Sequence, residues 1–372
     1  MLWALLAFAD ADAGARDGVG DTQILLGQSA ALSGPSGELG KLFLEGARSY
    51  FDKINAQGGV HGRKIRLLSL DDQYEPDKTV VNTLQLIHQE KVFALFGYVG
   101  TATVAAAMPL IEGAGVPLFA PMSGARFLRE PFNALVFNVR ASYARETDYL
   151  LRQLQGNGHR NIAVFYQNDE FGKSTLELLR GRVDRYGLKL VGAVAVERNS
   201  EDARTAAKAL LAMGPEVVIL VASYPSAAAL ITRMRRAGYY GGFSNYSFVG
   251  SQSLSARLKH GGAGIVVTQV VPFPWKPHLP IVYEYQKAFG QAEGGQYSFV
   301  GLEGFIAARA LVEGLRRAGR QLTREGLQRA LETINPANYD GGGFPLRFSP
   351  GNHNGSDFVD LTAIGQDGRF IN

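Results

Sequence analysis

The 372-residue chain contains no cysteine. This excludes disulfide bonds, thiolate metal ligands and cysteine nucleophiles, and it leaves the redox compartment of the protein undecided. Long runs of one charge are also missing, because 38 Lys and Arg and 34 Asp and Glu are spread along the chain, for a net charge of +4. Without a basic cluster, the sequence predicts no nucleic-acid partner.

The motifs of several enzyme classes are missing as well. No Gly-x-Gly-x-x-Gly follows a predicted strand, and no Gly-x-Ser-x-Gly nucleophile turn occurs. Residues Phe171-Gly172-Lys173-Ser174 resemble the end of a phosphate-binding P-loop, but Gln167 takes the place of its first glycine. The six histidines are scattered and never reach metal-ligand spacing. The sequence therefore predicts no cofactor, no metal site and no catalytic residue.

Two acidic pairs lie in predicted loops, Asp71-Asp72 after a strand and Asp169-Glu170 before a helix. Either pair could bind a cation or act in acid–base chemistry. Capping of the following turn is the favoured interpretation, because an Asp before a helix accepts from free backbone N–H groups, an effect worth about 1 kcal/mol.

Residues 1–21 begin with a short apolar run that leads into an Ala-x-Ala pattern. The run is shorter than the roughly 20 residues that span a bilayer, and the positively charged start of a signal peptide is missing. The pattern predicts the remnant of a truncated signal peptide, and hence a periplasmic protein. A disordered apolar tail is the alternative.

From Ile24 onward, short apolar strands alternate with amphipathic helices, and the alternation restarts at Ile162. Strands without polar residues are buried on both faces, which is typical of parallel sheets, so the pattern predicts two α/β bodies of similar plan. The predicted strands are 24–29, 65–70, 93–97, 116–120, 162–166, 189–196, 217–221 and 266–271, with a hairpin over 358–371. The predicted helices are 40–56, 76–90, 173–186, 201–213, 226–237, 280–291, 300–318 and 323–333.

Two strand-to-helix turns stand close together, at 93–101 and 116–125, and both contain small and hydroxylated residues. Backbone N–H groups at a helix start are unpaired and partly positive, so two such turns form a cradle for an anion or a polar ligand. Neither turn contains a nucleophile, a general base or a metal cluster. The turns predict capture of a ligand rather than chemistry.

Several segments in sequence order resemble one family. Residues 29–40, Ser-Ala-Ala-Leu-Ser-Gly-Pro-Ser-Gly-Glu-Leu-Gly, are similar to the first pocket loop of the periplasmic Leu/Ile/Val-binding proteins, which are type I solute-binding components of ABC importers. Residues 55–64, 71–72, 97–103, 120–123 and 166–172 continue the resemblance, which extends from Ile24 to the C-terminus.

The resemblance implies the periplasmic binding protein type I fold: two doubly wound parallel-sheet lobes that are joined by three hinge crossovers and close around a ligand. It implies one lobe from 22–139 and 272–343 and a second from 140–271 and 344–372. It also implies a small-molecule ligand, an ABC permease in the inner membrane as partner, and a monomer.

The resemblance further implies the ligand-binding residues. The turn residues Gly100, Thr101 and Ala102 would hold the carboxylate of the ligand, with help from Met122 and Ser123. The remaining candidates are mostly apolar or aromatic: Leu39, Tyr98, Phe171, Tyr224, Gln252, Phe273 and Phe299. The structural alternatives are that Thr101 only caps a helix, that Ser123 is only a turn hydroxyl, and that Phe171 and Phe299 belong to the core.

Two positions depart from the pattern of the amino-acid binders. Where those proteins hold the ligand's α-ammonium with a threonine and an acidic residue, this chain has Gly124 and Gln252. Burying an ammonium without a charged partner costs at least several kcal/mol, whereas a neutral hydrogen bond contributes only about 0.5 to 1.5 kcal/mol. We therefore expect an apolar or aromatic carboxylate to be preferred over an α-amino acid.

Three other functions compete with this prediction. A larger apolar ligand, such as a sterol or a fatty acid, would require a wider cleft. A ligand-sensing regulatory domain of the amide-sensor type has the same fold. An enzyme is the least favoured, because no acid–base or nucleophile arrangement supports it.

Overall fold

The computed structural model describes residues 18–289 and 296–371. The predicted signal-peptide remnant lies outside these residues except for its last four positions. The first sheet has five parallel strands in the order β2-β1-β3-β4-β5. They are β1 (Gln23–Ala30), β2 (Lys64–Asp71), β3 (Ala94–Phe96), β4 (Leu118–Phe119) and β5 (Val136–Phe137).

Helices cover the first sheet because its central strands are apolar on both faces. Seven of the eight residues of β1 are buried, and Ile24 is in register with Ile65 of β2. The helices between these strands are α1 (Gly37–Ala56), α2 (Pro76–Leu84), which continues as a π-helical turn over Gln85–Gln89, and α3 (Thr101–Ala114).

The second lobe repeats this plan. Its helices are α4 (Tyr143–Gly156), α5 (Glu170–Arg180), α6 (Arg204–Met213), α7 (Tyr224–Arg236) and α8 (Ser251–Leu258). Its parallel strands are β6 (Asn161–Gln167), β7 (Lys189–Val196), β8 (Val217–Val221), β9 (Gly242–Asn245) and β10 (Val266–Gln269).

The chain then returns to the first lobe with α9 (Pro280–Phe289), α10 (Phe299–Ala318) and α11 (Arg324–Leu331). The backbones of α1 and α10 approach so closely that a Cβ atom on Gly46 would lie 1.8 Å from the carbonyl oxygen of Gly301. Only glycine fits there, and this crossing fixes α10 on the first lobe.

The last two strands complete the second sheet. They are β11 (Asp360–Ile364) and β12 (Phe370–Ile371), both antiparallel to their neighbours in the order β12-β11-β10-β9-β8-β6-β7. The chain therefore crosses between the lobes three times: between β5 and α4, between β10 and α9, and between α11 and β11. The predicted two-lobe α/β fold and the C-terminal hairpin are confirmed.

Several predicted elements differ from the structure. The predicted helix 173–186 was too long, because the helix begins at Glu170 and ends at Arg180, and a separate 3₁₀ turn covers Val183–Tyr186. The predicted strand 116–120 was also too long, because Ala120 adopts φ +54° and ends β4 after two residues. The sequence interpretation missed β5, α4, β9 and α8, and it predicted the start of α3 without its bounds. The last two positions of the predicted helix 280–291 lie outside the described residues.

Three buried charged side chains lie at the first crossover. The Nε atom of Arg140 is 3.5 Å from Oε1 of Glu303 on α10, and its Nη2 atom is 3.9 Å from Oε1 of Glu146 on α4. Nη2 also donates to Ser247 Oγ in the second lobe. Arg140 therefore connects both lobes at the hinge.

Candidate functional site

The two lobes meet where the carboxyl ends of their strands face each other, which is the usual place for a ligand in α/β folds. Helix starts converge there, because each follows a strand end. At one side, Ser36 before α1 donates its hydroxyl to Asn199 Oδ1 at 3.0 Å and lies 3.2 Å from the hydroxyl of Ser223 before α7. The lobes are thus in direct contact, in a closed arrangement.

An ion pair joins the lobes at the same interface. Arg198, after β7, donates to Glu75 Oε2 at 2.8 Å, and Asn199 donates to Glu75 Oε1 at 2.8 Å. Nη1 of Arg198 also lies 3.5 Å from Asp169. We call Glu75, Arg198 and Asn199 the interlobe latch.

Two hydroxyl groups lie at the start of α3. Oγ1 of Thr101 and Oγ of Ser123 are 2.8 Å apart, and the hydroxyl of Tyr143 lies 3.5 Å from Thr101. The N-cap of α3 is Gly100, which has no side chain to cap the helix. Thr101 is therefore not the cap, and its hydroxyl is directed to Ser123 at the positive end of the helix. Ser123 also accepts from the Ala125 N–H at 3.2 Å.

Four buried aromatic rings lie beside this hydroxyl pair. Tyr143 packs on Phe171 with ring centroids 5.1 Å apart, Phe171 on Phe248 at 5.0 Å, and Phe248 on Tyr74 at 5.8 Å. Tyr74 belongs to the first lobe and the other three to the second, so the rings close the cleft from both sides. We call these four residues the aromatic wall.

The sequence interpretation found only Phe171 of the aromatic wall. Tyr74 has φ +62°, a left-handed conformation that is uncommon for a bulky residue and that concentrates at functional sites. Gln167 donates to its hydroxyl at 3.0 Å. Tyr74 follows the end of β2 closely, so the strand-end rule could have identified it. Tyr143 begins α4 and Phe248 follows β9, two elements that the interpretation missed.

Two further predicted residues also meet across the cleft. Leu39 of α1 and Tyr224 of α7 lie on either side of Gly250, where an added Cβ would be 2.5 Å from Leu39 Cδ2 and 3.7 Å from Tyr224 Cδ1. The backbone N–H of Glu38 donates to the Tyr224 hydroxyl at 3.4 Å.

Other predicted residues lie elsewhere. Tyr98 is buried within the first lobe, where its hydroxyl lies 3.2 Å from Oγ1 of Thr83 on α2. Phe273 and Phe299 pack on each other with centroids 5.9 Å apart and form a separate cluster at the second crossover. Trp275 and Phe370 complete this cluster.

The remaining predicted residues flank the hydroxyl pair or the interface. Met122 and Ala102 are buried, and the Met122 N–H donates to the Tyr98 carbonyl at 2.7 Å. Gln252, in the first turn of α8, donates to Gln296 at 3.4 Å, while its buried Oε1 atom has no hydrogen-bond partner among the described residues.

The acidic groups near the cleft have protein partners. Asp72 accepts from Ser29 and Thr79 and from the Tyr74 N–H, and burial raises its pKa to about 6. Asp169 accepts from the Gly172 N–H at 3.3 Å as the N-cap of α5, which confirms the capping interpretation for this residue. Asp71, at the end of β2, accepts from the Ser33 hydroxyl and the Leu32 N–H in the loop after β1.

Gly124 lies directly under the ring of Tyr143, and its carbonyl accepts from the Tyr143 N–H at 2.8 Å. The ring therefore occupies the space where a side chain at position 124 would extend.

Within the described ranges, no group of three or more His, Asp or Glu side chains could hold a metal ion. No described helix is both long and apolar enough to cross a membrane.

Comparison with known proteins agrees with this architecture. The family model described as "Periplasmic binding protein" matches residues 23–369. A possible leucine/isoleucine/valine-binding protein from Rhodopirellula baltica SH 1 is 33% identical, with a TM-score of 0.88 over 96% of this chain and 97% of that chain. A substrate-binding periplasmic protein from Ralstonia solanacearum is 31% identical, with a TM-score of 0.88 over 94% of this chain and 99% of that one. Leu/Ile/Val-binding protein homolog 7 of Brucella abortus (strain 2308) is 26% identical and aligns over 94% of this chain and 90% of its own. The chain belongs to the periplasmic binding protein family, as a type I member of the Leu/Ile/Val-binding kind.

Proposed function

We propose that this solute-binding protein captures a small apolar or aromatic carboxylate between its lobes and delivers it to the permease of an ABC importer. The observation that supports the ligand class is the hydroxyl pair of Thr101 and Ser123 at the start of α3, enclosed by the aromatic wall. The hydroxyls and the helix start favour a carboxylate, and the rings favour an apolar body.

The surroundings argue against an α-ammonium group. Each buried carboxylate at the cleft and the hinge already has a protein partner. Asp72 accepts from hydroxyls, Asp169 pairs with Arg198, Glu303 pairs with Arg140, and Glu146 accepts from Ser247 and Thr268. An ammonium group would therefore be buried without a free counter-charge, at a cost that neutral hydrogen bonds do not offset.

The aromatic wall is large enough to account for useful affinity. Burial of one ligand ring removes roughly 150 to 250 Å² from water, which contributes about 4 to 6 kcal/mol before the costs of association. A micromolar complex requires about 8 kcal/mol. Ring burial together with two or three hydrogen bonds to the carboxylate, at about 1.5 to 3 kcal/mol each, can exceed this value before the costs of association are subtracted.

A branched-chain amino acid is the second candidate, because the names of several relatives specify leucine, isoleucine and valine. The unpartnered Oε1 atom of Gln252 favours it, since this oxygen could accept one hydrogen bond from an ammonium group. A sterol or fatty acid is the candidate with a larger apolar body, and it would require a wider cleft. A sensor of the amide type would bind its ligand without a permease.

The decisive experiment compares ligands that differ only in the amino group. Isothermal titration of the purified protein with 4-methylpentanoate and leucine, and with 3-phenylpropanoate and phenylalanine, measures the contribution of that group directly. We expect micromolar affinity for the carboxylates and at least tenfold weaker binding of both amino acids. Tighter binding of leucine than of 4-methylpentanoate would overturn the ligand class.

The same titration with Thr101→Val tests the hydroxyl pair. Valine keeps the shape of threonine, and loss of a hydrogen bond to a charged group costs about 1.5 to 3 kcal/mol. We expect a tenfold or greater loss of carboxylate affinity. Thr83→Val is the matched control, because it removes a buried hydroxyl on α2 that contacts Tyr98 rather than the cleft.

We further propose a periplasmic monomer that performs no chemical conversion, with lobe boundaries near 139/140 and 271/272. The third boundary is best drawn after residue 355 instead of 343, because Phe348 packs on Phe137 and His353 stacks on the same ring, both against the edge of the first sheet. Light scattering of the purified protein tests the monomer, and detection in the periplasmic fraction of the native cells tests the location.

A further inference from the structure

A cavity of about 480 Å³ lies between the lobes on the far side of Tyr143. The first lobe contributes the loop after β4, including Arg129, and the second lobe contributes the first turn of α4 and one face of α5, including Thr175. Tyr143 also lines it, while its hydroxyl lies 3.5 Å from Thr101. Neither Thr101 nor Ser123 lines this cavity, so it is separate from the hydroxyl pair.

Arg129 is a cation without an anionic partner. Its guanidinium donates only to main-chain carbonyls, those of Ala125 at 2.9 Å, Arg140 at 3.1 Å and Ser123 at 3.3 Å. No carboxylate of the described residues lies within ion-pair distance of it. Desolvation, and after it the like charge of nearby Arg140, lower the pKa of Arg129 to about 10. A half-buried guanidinium that faces a cavity and pairs with no carboxylate is a suitable partner for a bound anion.

Thr175 supplies the second, independent observation. It is 1% exposed, and its Oγ1 atom has no hydrogen-bond partner among the described residues. Helical Ser and Thr hydroxyls usually donate to the carbonyl four residues earlier, as Ser174 does to Glu170 and Thr147 does to Tyr143. Thr175 makes no such bond, and a buried hydroxyl without a partner is rare unless a ligand completes it.

The charges around the cavity favour an anion inside it. The start of α4 presents the positive end of its helix dipole at Ser142 and Tyr143. Arg182 lines the second-lobe side and donates to the Ala144 carbonyl at 3.0 Å. The acidic lining residues are exposed, and one of them, Glu130, already pairs with Arg126 at 3.0 Å.

We propose that this cavity binds an oxyanion, a carboxylate, sulfate or phosphate group, between Arg129 and Thr175 at the start of α4. Because Arg129 belongs to the first lobe and Thr175 to the second, the bound anion bridges the lobes and stabilises their closed arrangement. The site is independent of the transported ligand and would hold whether or not that ligand is a carboxylate.

The test is isothermal titration of the full chain with sodium sulfate, sodium phosphate and sodium acetate at constant ionic strength in chloride. Thermal unfolding in the same salts gives a second readout. Sulfate and phosphate stabilise most proteins non-specifically, so the informative quantity is the difference between variants. Arg129→Gln removes the cation, and Thr175→Val removes the hydroxyl while keeping its shape. Arg160→Gln is the charge-matched control, because Arg160 is exposed and does not line the cavity.

We expect saturable binding of at least one oxyanion to the wild type, and at least fivefold weaker binding to both cavity variants but not to Arg160→Gln. A response to acetate alone identifies a carboxylate, and a response to sulfate and phosphate identifies a tetrahedral anion. The proposal would be overturned if Thr175→Val and Arg129→Gln bound the oxyanion as tightly as the wild type does. It would also be overturned if the wild type showed no saturable binding. If Arg129→Gln is poorly folded by circular dichroism, Thr175→Val decides alone. Because no transported ligand is present, this result is independent of the titrations with 4-methylpentanoate.

Discussion

Gly124 lies so close to Tyr143 that a Cβ atom at position 124 would be 2.5 Å from Cδ1 of the tyrosine ring and 2.6 Å from its backbone nitrogen. The space that a threonine would need at this position is therefore filled by an aromatic residue from the start of α4. The ring also contacts Phe171 and carries its hydroxyl toward Thr101. With glycine at position 124, the Tyr143 ring fills this space and contributes an aromatic surface at the interface between the lobes.

The first prediction concerns this contact. Gly124→Ala should lower the free energy of unfolding by about 1 to 3 kcal/mol, because the added methyl group meets both ring and backbone. In a Tyr143→Ala background, which is itself destabilised by loss of a buried ring, Gly124→Ala should cost less but not nothing, since the backbone nitrogen at 2.6 Å remains. Denaturant unfolding measures both. Gly113→Ala on α3 is the control, because a Cβ there meets nothing within 4 Å, and it should be neutral or stabilising. Full stability of Gly124→Ala would contradict the packing described.

The second prediction concerns the hinge. Arg140→Met should cost about 3 to 5 kcal/mol of unfolding free energy, because it leaves the buried carboxylates of Glu303 and Glu146 without their cation. The double variant Arg140→Met/Glu303→Gln should recover part of this loss, since one uncompensated charge is removed. Arg126→Met, in an exposed pair with Glu130, should change stability by less than about 1 kcal/mol. Equal costs for the single and double variants would argue against coupling of Arg140 and Glu303.

The third prediction concerns the interlobe latch. Arg198→Ala removes a half-exposed ion pair with Glu75 that exists only when the lobes touch, so ligand affinity should fall by up to about fivefold, equivalent to roughly 1 kcal/mol. The loss should be larger at low than at high ionic strength. Arg204→Ala, whose partner Asp202 is in the same lobe, should leave ligand affinity unchanged. If titration calorimetry showed the same loss of ligand affinity at low and high ionic strength, the effect of Arg198 would not come from its charge.

The fourth prediction concerns pH. Burial raises the pKa of Asp72 to about 6. The folded state then binds more protons than the unfolded state between the unfolded pKa and this value, so the contribution of Asp72 to stability is greatest at low pH and falls as the pH rises from about 4 to about 6. The loss is at most about 3 kcal/mol. Asp72→Asn should remove this pH-dependent part of the unfolding free energy, as measured by denaturant unfolding between pH 4 and 7. Asp357→Asn, at an exposed carboxylate, is the control and should retain it.

The local pattern of the sequence was sufficient for most of the fold. Apolar strands such as Val217–Val221 and amphipathic helices such as Arg204–Met213 were predicted within a few residues. A strand that is buried on both faces is a continuous apolar run, and a helix that is buried on one face has apolar residues at helical spacing, so both are visible in the sequence. Short elements such as β9 and α8 were missed, because four to eight residues contain too little periodicity and their strand pairing depends on distant segments.

The candidate site was predicted in part. Thr101, Ser123, Phe171, Leu39 and Tyr224 all lie at the interface between the lobes, as the strand-end rule and the family resemblance led us to expect. Tyr98 lies inside the first lobe instead, because alternate residues at a strand end point to opposite sides and sequence alone does not identify the side that faces the cleft. Whether any of these residues contacts ligand stays a prediction.

Sequence by itself determined the two α/β lobes and the strand-end location of the cleft, because these follow from residue type and local spacing. The departures at Gly124 and Gln252 came from the family resemblance, and their effect on ligand choice stays a prediction. Only the tertiary structure decided that Tyr143 fills the space above Gly124, that Tyr74 and Phe248 meet from opposite lobes, and that the half-buried Arg129 donates to carbonyls and to no carboxylate of the described residues. Each of these relationships joins segments far apart in the chain, and their distances depend on how the lobes pack.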